Sequence, residues 1–170
     1  MNRPLPSQYH PFYSGYIDLV PNGDYLPLLK QNLMDVTSFF SSIPKEKHDY
    51  RYQPGKWSVK QTILHLCDTE RVMSYRALTI ARGDVRAHLP QMDENLFALH
   101  ASVAGRTVED LLHEFSAVRE ATSLLFAYMN DEQLQFEGNV MNHVMTPRAL
   151  GYIIIGHAMH HMNVVRQRYL

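Results

Sequence analysis

Apolar residues recur at intervals of three or four positions in four long segments of this sequence. The segments span about residues 24–42, 58–81, 107–129 and 146–170. Spacing of this kind places an apolar stripe along one side of a helix, and four such helices can bury their stripes against one another. No sustained alternation with a period of two, bounded by hairpin turns, indicates strands. The pattern therefore predicts an all-α fold, a four-helix bundle.

Three of the four segments begin with strong helix-start signals. Ser58 and Gln61 form a capping box, in which each side chain binds a backbone N–H that the first helical turn leaves free. Thr107 is an N-cap residue followed by acidic side chains, and Thr146 precedes a proline at the first helical position. These signals predict where the second, third and fourth helices begin.

Two stretches lie outside the long helices. The connection over residues 83–106 is long for an up-and-down bundle, and we expect it to contain a short helix near residues 93–103. Residues 1–21 carry three early prolines and four aromatic side chains, which predict an extended arm packed on the bundle. At a length of 170 residues, the chain is expected to form one domain over residues 1–170.

The composition argues against several classes of function. The formal net charge is −1, which gives no basic excess to neutralise phosphates, so nucleic-acid binding is not expected. No apolar run reaches the roughly 18–20 residues of a membrane span, and prolines occupy the region where a secretory signal carries its apolar stretch. The single cysteine, Cys67, fits a reducing compartment. We therefore expect a cytoplasmic protein without membrane association.

Two of the ten histidines share the apolar face of the last predicted helix. His157 and His161 are four residues apart, so their side chains lie about 40° apart on that face. Both imidazoles are expected to point into the bundle, where one divalent cation would satisfy a nitrogen of each ring. The alternative is a pair of core histidines satisfied by hydrogen bonds. The histidines expected to be solvated or locally hydrogen-bonded are His10, His48, His88, His100, His113 and His143.

A third metal ligand is expected from a facing helix, and the candidate is His65 on the second predicted helix. It lies on one helical line with Thr69 and Arg76, beside the apolar stripe rather than at its centre. A ligand at that position places the ion next to a groove. Three imidazoles also leave positions of the ion open to water or substrate, as in a catalytic site.

Other polar residues near this helix face are candidates for catalysis or binding. Glu70 interrupts the apolar stripe of the second helix. One interpretation is a carboxylate that is held near the site and acts as a proton acceptor. The other is a charge that pairs with an arginine or reaches the surface. Arg76, Asp93 and Asn95 are candidate pocket groups.

Five short motifs carry a resemblance to a known family. They are G-K-W-S-V-K at 55–60, H-L-C-D-T-E-R at 65–71, L-P-Q-M-D-E-N at 89–95, S-A-V-R at 116–119 and G-H-A-M-H-H at 156–161. In their order and spacing, the sequence resembles the DinB-like (DinB/YfiT) superfamily over most of its length. The resemblance implies an antiparallel four-helix bundle with a long crossover connection, often dimeric. It also implies a three-histidine metal site, which by position is His65, His157 and His161.

The superfamily is similar in site and diverse in chemistry. It includes thiol S-transferases that use low-molecular-weight thiols, a mycothiol-dependent isomerase and proteins classed as metal-dependent hydrolases. The resemblance implies a homodimeric enzyme that acts on a small molecule. One divalent ion per chain, zinc or nickel, would activate a thiol or a water molecule. The alternatives are a noncatalytic metal-binding or ligand-sensing module, and an interaction domain whose histidines are only polar groups of the core.

Overall fold

The computed structural model describes residues 1–170. Its helices are α1 (Ser14–Leu19), α2 (Tyr25–Ser41), α3 (Val59–Ala81), α4 (Glu94–His100), α5 (Val108–Ala127) and α6 (Pro147–Arg168). A short hairpin consists of β1 (Gly138–Val140) and β2 (His143–Met145). The four long helices occupy the four segments with helical periodicity, which confirms a mostly helical fold.

The long helices contact one another in a closed set of four. α3 packs against α5 and α6, and α2 packs against the same two helices. α1 lies along α6. None of these helices has both the length and the apolar character required to cross a membrane.

The core consists of two apolar clusters, which follow one another along every long helix. The first cluster contains residues from the N-terminal part of α2 and α6 and from the C-terminal part of α3 and α5. The second cluster contains residues from the opposite part of each of these helices. Between the clusters each long helix contributes a buried polar residue, namely Asn32, Glu70, Arg119 or His157. We call these four residues the polar layer. It separates the two apolar clusters and contains a predicted metal ligand.

The predicted helix starts are confirmed. Ser58 Oγ accepts a hydrogen bond from the Gln61 backbone N–H at 3.2 Å, and the Gln61 side chain accepts one from the Ser58 N–H at 3.0 Å. Thr107 forms the same reciprocal pair with Asp110 at the start of α5, and the Thr146 side chain accepts a hydrogen bond from the Ala149 N–H at the start of α6. The short helix expected in the long connection is α4, with Asp93 as its N-cap residue.

The N-terminal arm is helical rather than extended, which corrects the prediction for residues 1–21. Two short 3-10 turns lead into α1, and Ile17 is fully buried against α6. Gly156 permits this approach, since a Cβ atom there would lie 1.9 Å from the carbonyl oxygen of Tyr16. A helix of six residues depends on such tertiary packing rather than on its own propensity, so local sequence does not predict it.

The β1–β2 hairpin corrects the all-α prediction. The strands pair antiparallel, with Val140 opposite His143. Met141 and Asn142 form the turn between them, with φ angles of 55° and 65°. A two-residue turn of this kind requires left-handed backbone, for which methionine is not a signal. Strands of three residues are also too short to show an alternating pattern.

Candidate metal centre

Three histidines from two packed helices converge on one point. His65 comes from α3, and His157 and His161 come from successive turns of α6. One ring nitrogen of each residue lies within 4.8 Å of the other two. His65 and His157 are buried, and His161 is half-buried.

The distances between ring nitrogens fit a shared ion. His157 Nε2 lies 3.0 Å from His65 Nε2 and 3.1 Å from His161 Nε2. Two nitrogens that each lie about 2.0–2.1 Å from one ion, at angles of about 90–110°, are about 2.8–3.4 Å apart. Both distances to His157 therefore fit a shared divalent cation, and the three nitrogens lie within 4.8 Å of one another.

Hydrogen bonds alone satisfy this cluster poorly. His157 Nε2 is the nitrogen that both other rings approach, and it carries either one hydrogen or one lone pair. If it donates, one N–H is split between two acceptors; if it accepts, two donors compete for one lone pair. A cation that accepts one lone pair from each ring removes this conflict.

Burial keeps the three imidazoles neutral. It lowers the pKa of His65 to about 4 and lowers the pKa values of His157 and His161 well below the usual value for histidine. Repulsion between protonated rings of neighbouring histidines lowers each pKa further. A neutral imidazole has a free lone pair, which is the form that binds metals.

Aromatic residues hold the imidazole rings in place. The Trp57 ring lies 4.4 Å from the His65 ring, centroid to centroid, and 6.1 Å from the His161 ring in a stacked arrangement. Tyr16 of α1 packs edge-on against His157 at 5.6 Å. Because ring rotation is restricted on both helices, the three nitrogens are preorganised for a common ligand.

A cavity of about 580 Å³ opens beside His65 and His157. Its walls come from α3, α6, the N-terminal arm, the segment that enters α4, and the hairpin. The hairpin is joined to the α3–α4 connection by a hydrogen bond of 3.0 Å from Met141 N to Leu89 O. The volume lies within the range of small-molecule sites, about 300–1,000 Å³.

A family model described as the DinB superfamily matches residues 28–165. The chain belongs to the DinB superfamily. This confirms the resemblance seen in the sequence motifs. No curated protein matches the sequence.

Among solved structures, this DinB-superfamily chain is similar to YfiT from Bacillus subtilis, which is described as a probable metal-dependent hydrolase with an unusual four-helix bundle topology. The match has a TM-score of 0.73 and 15% sequence identity, and it covers 84% of this chain and 85% of YfiT. At that identity the likeness establishes the four-helix bundle fold.

The three predicted pocket groups lie at the cavity of this DinB-superfamily protein. Arg76, Asp93 and Asn95 line it together with His65 and His157. Arg76 is buried, with 2% of its surface exposed. Asp93 and Asn95 are exposed at the start of α4, where Asp93 Oδ1 accepts hydrogen bonds from the backbone N–H groups of Asn95 and Leu96.

Glu70 lies outside this cavity and pairs with an arginine. Its carboxylate accepts hydrogen bonds of 2.8–3.1 Å from Nε and Nη2 of Arg119. Both side chains are almost fully buried. Glu70 does share a small void of about 10 Å³ with His157. This placement supports the ion-pair interpretation of Glu70 over the role of proton acceptor.

Two of the histidines expected to be solvated or locally hydrogen-bonded also line the cavity: His10 accepts a local hydrogen bond from the Phe12 N–H, and His143 is exposed. His10 in the arm and His143 in β2 both line the cavity, and their ring centroids are 3.9 Å apart. Tyr13 and Tyr16 of the arm also line it. The sequence carries no spacing signal for these residues, because the arm and the hairpin meet α3 and α6 only through tertiary packing.

Proposed function

We propose that this protein is a metal-dependent enzyme that acts on a small molecule in the cavity beside His65 and His157. The observation that carries the proposal is the convergence of three neutral imidazole nitrogens next to a cavity of ligand size. Zinc and nickel are the ions we propose, because both suit imidazole ligands. A bound ion would lower the pKa of a thiol or a water molecule and stabilise the resulting anion.

The protein's own residues would bind and orient the reactants. Trp57 and Tyr16 pack against rings of the proposed metal ligands, and two of these ligands, His65 and His157, line the cavity. Tyr13 and Tyr16 of the arm line the cavity, on the side where α1 packs on α6. Arg76 provides a buried positive charge on the wall.

We also propose that the four long helices form an antiparallel bundle with a long crossover connection. Along the chain, α2 and α6 pass from the first apolar cluster to the second, whereas α3 and α5 pass from the second to the first. The connection over residues 82–107 would then return along the bundle between α3 and α5. This path brings α4 to the cavity, where its first residues form part of the wall.

The metal requirement is tested first, with protein purified without a histidine tag. We expect about one zinc or nickel ion per chain by mass spectrometry of the metal content, and a loss of most of it in His161→Ala. His113→Ala is the matched control, because His113 is an exposed histidine of α5 away from the cluster. Wild-type protein without bound metal would contradict the proposal.

The reaction is tested with a panel of small electrophiles and esters, with and without low-molecular-weight thiols. Turnover that requires a thiol assigns S-transfer, and turnover in its absence assigns hydrolysis. We expect either activity to disappear in folded His161→Ala and to persist in His113→Ala. A metal-loaded protein that turns over nothing, and melts at a much lower temperature on chelation, would instead be a noncatalytic metal-binding module.

A further inference from the structure

We propose that the cavity binds a small molecule bearing a carboxylate group, which pairs with Arg76 while the other end of the molecule lies at the three histidines. The inference adds a class of ligand to the proposed function, and it rests on that function only for the end of the ligand that lies at the histidines. Arg76 is 2% exposed, and its side chain lines the cavity.

Arg76 is a buried cation whose neighbours are neutral. Its guanidinium donates to the carbonyl oxygen of Pro90 and to the sulfur of Met73, and the hydroxyl of Tyr13 lies nearby. No carboxylate lies within 4.0 Å of it. Burial lowers the pKa of the Arg76 side chain, as expected for a cation without a counter-charge.

Arg119, the second buried arginine, has a structural role in this bundle. Arg119 is fully enclosed, is bound by Glu70 through two nitrogens, and donates its third nitrogen to Asn32 and Leu29. Its charge and its donors are therefore satisfied within the protein. Arg76 has no carboxylate partner, and its side chain lines a cavity that can admit an anion. A carboxylate matches the planar fork of a guanidinium.

The spacing along α3 places this anion site and the metal site in one cavity. Residues 65 and 76 are eleven positions apart, which is about three helical turns, so both side chains lie on one helix face. The Arg76 guanidinium extends back about one turn along α3, where it contacts the sulfur of Met73. About two turns then separate the two groups, or roughly 10 Å. A ligand bound at both ends must span that distance.

Two carboxylates also line the cavity but do not neutralise this site. Asp93 and Glu94 are exposed at the start of α4, where solvent screens their charge. Asp93 is in addition engaged in capping α4. The buried part of the cavity therefore has a positive potential at Arg76, which favours an anionic group over a neutral one of the same shape.

The first experiment needs no metal. Sodium hexanoate and 1-hexanol are titrated into metal-free protein, with affinity measured from NMR chemical-shift changes. We expect hexanoate to bind about 10- to 100-fold more tightly, the range expected for a charge-assisted hydrogen bond. Arg76→Gln should abolish the preference, and Arg76→Lys should retain part of it. Equal affinities in the wild type, or a preference that survives in folded Arg76→Gln, would overturn the inference.

The second experiment tests whether one ligand occupies the anion site and the metal site together. Cobalt-loaded protein is titrated with 6-mercaptohexanoate, 6-mercaptohexanol and the shorter 3-mercaptopropionate, and the visible spectrum of cobalt reports the arrival of sulfur. We expect 6-mercaptohexanoate to bind about 10- to 100-fold more tightly than the alcohol, and more tightly than the short acid.

The outcomes distinguish the two proposals. If cobalt does not bind, the proposed function fails, while a hexanoate preference in metal-free protein still supports the anion site. If cobalt binds and the three thiols bind equally, the Arg76 inference fails and the metal-dependent function stands. The wild-type comparison of acid and alcohol does not depend on the folding of any variant.

Discussion

Arg119 Nε and Nη2 bind both oxygens of Glu70 in the middle of the bundle, with 1% and 3% of the two side chains exposed. The pair lies in the polar layer between the two apolar clusters, and Asn32 accepts a further hydrogen bond of 2.8 Å from Arg119. α2, α3 and α5 are therefore joined by charge-assisted bonds at one level of the bundle. Sequence alone left Glu70 with two roles, and this contact favours the structural one.

Glu70→Gln should destabilise the protein by about 3–5 kcal/mol, because it leaves a buried guanidinium without its counter-charge. Urea denaturation measures the change. Glu114→Gln is the control, since Glu114 pairs with Arg71 and Arg106 at the surface and its loss should cost about 0–1 kcal/mol. If Glu70→Gln keeps its stability and loses turnover, Glu70 acts as the proton acceptor instead.

Gly156→Ala should weaken the packing of α1 on α6. A Cβ atom at residue 156 would lie 1.9 Å from the backbone oxygen of Tyr16, which cannot move independently of α1. We expect a loss of about 1–3 kcal/mol in the free energy of unfolding and faster proteolysis of the N-terminal arm. Gly15→Ala adds the same methyl group within α1, where nothing lies within 4 Å, and should not accelerate proteolysis.

Divalent metal should raise the melting temperature of the wild-type protein. An ion that binds only the folded state adds about 1.4 kcal/mol of stability for each tenfold excess over its Kd. Differential scanning calorimetry at increasing zinc concentration measures the shift. His113→Ala should show the full shift, and His161→Ala should lose most of it. An equal shift in both variants would assign the stabilisation to zinc bound elsewhere.

Metal-free protein should lose stability as the pH falls from about 6.5 towards 4. Burial holds the pKa of His65 at about 4 in the folded state, against 6.5 when exposed, so in this window the unfolded chain binds the additional proton. Acidification therefore favours unfolding, by about 3 kcal/mol from His65 alone once the pH is below 4.

Urea denaturation across that pH range checks this expectation. His65→Ala should show a shallower loss of stability than the wild type, whereas His113→Ala should follow the wild-type curve. Parallel curves for His65→Ala and the wild type would show that His65 is not buried in its neutral form.

The long helices and their starts could be predicted from the sequence because their causes are local. An apolar period of 3.6 residues and a capping side chain three residues from its target both act within one segment. The pairing of His157 with His161 is local in the same sense, since a four-residue interval on a helix places two side chains on one face. Their burial followed from the apolar residues around them.

The hairpin, the helical arm and the cavity depend on contacts between distant segments. β1 and β2 are too short to have a pattern, and α1 is too short to be stable without α6. His10 and His143 meet on the cavity wall although 133 positions separate them in the sequence. The helical line shared with His65 makes Arg76 a candidate pocket group, but it does not show that Arg119 has a counter-ion and Arg76 has none.

Local patterns in the sequence predict the long amphipathic helices and place two histidines on the apolar face of the last one. Three further features follow from how the helices pack: His65 Nε2 lies 3.0 Å from His157 Nε2, Glu70 is bound by Arg119, and Arg76 lines a cavity without a counter-ion. Periodicity and capping act within a few residues of the chain, whereas the partner of a buried charge is set by which helices pack together.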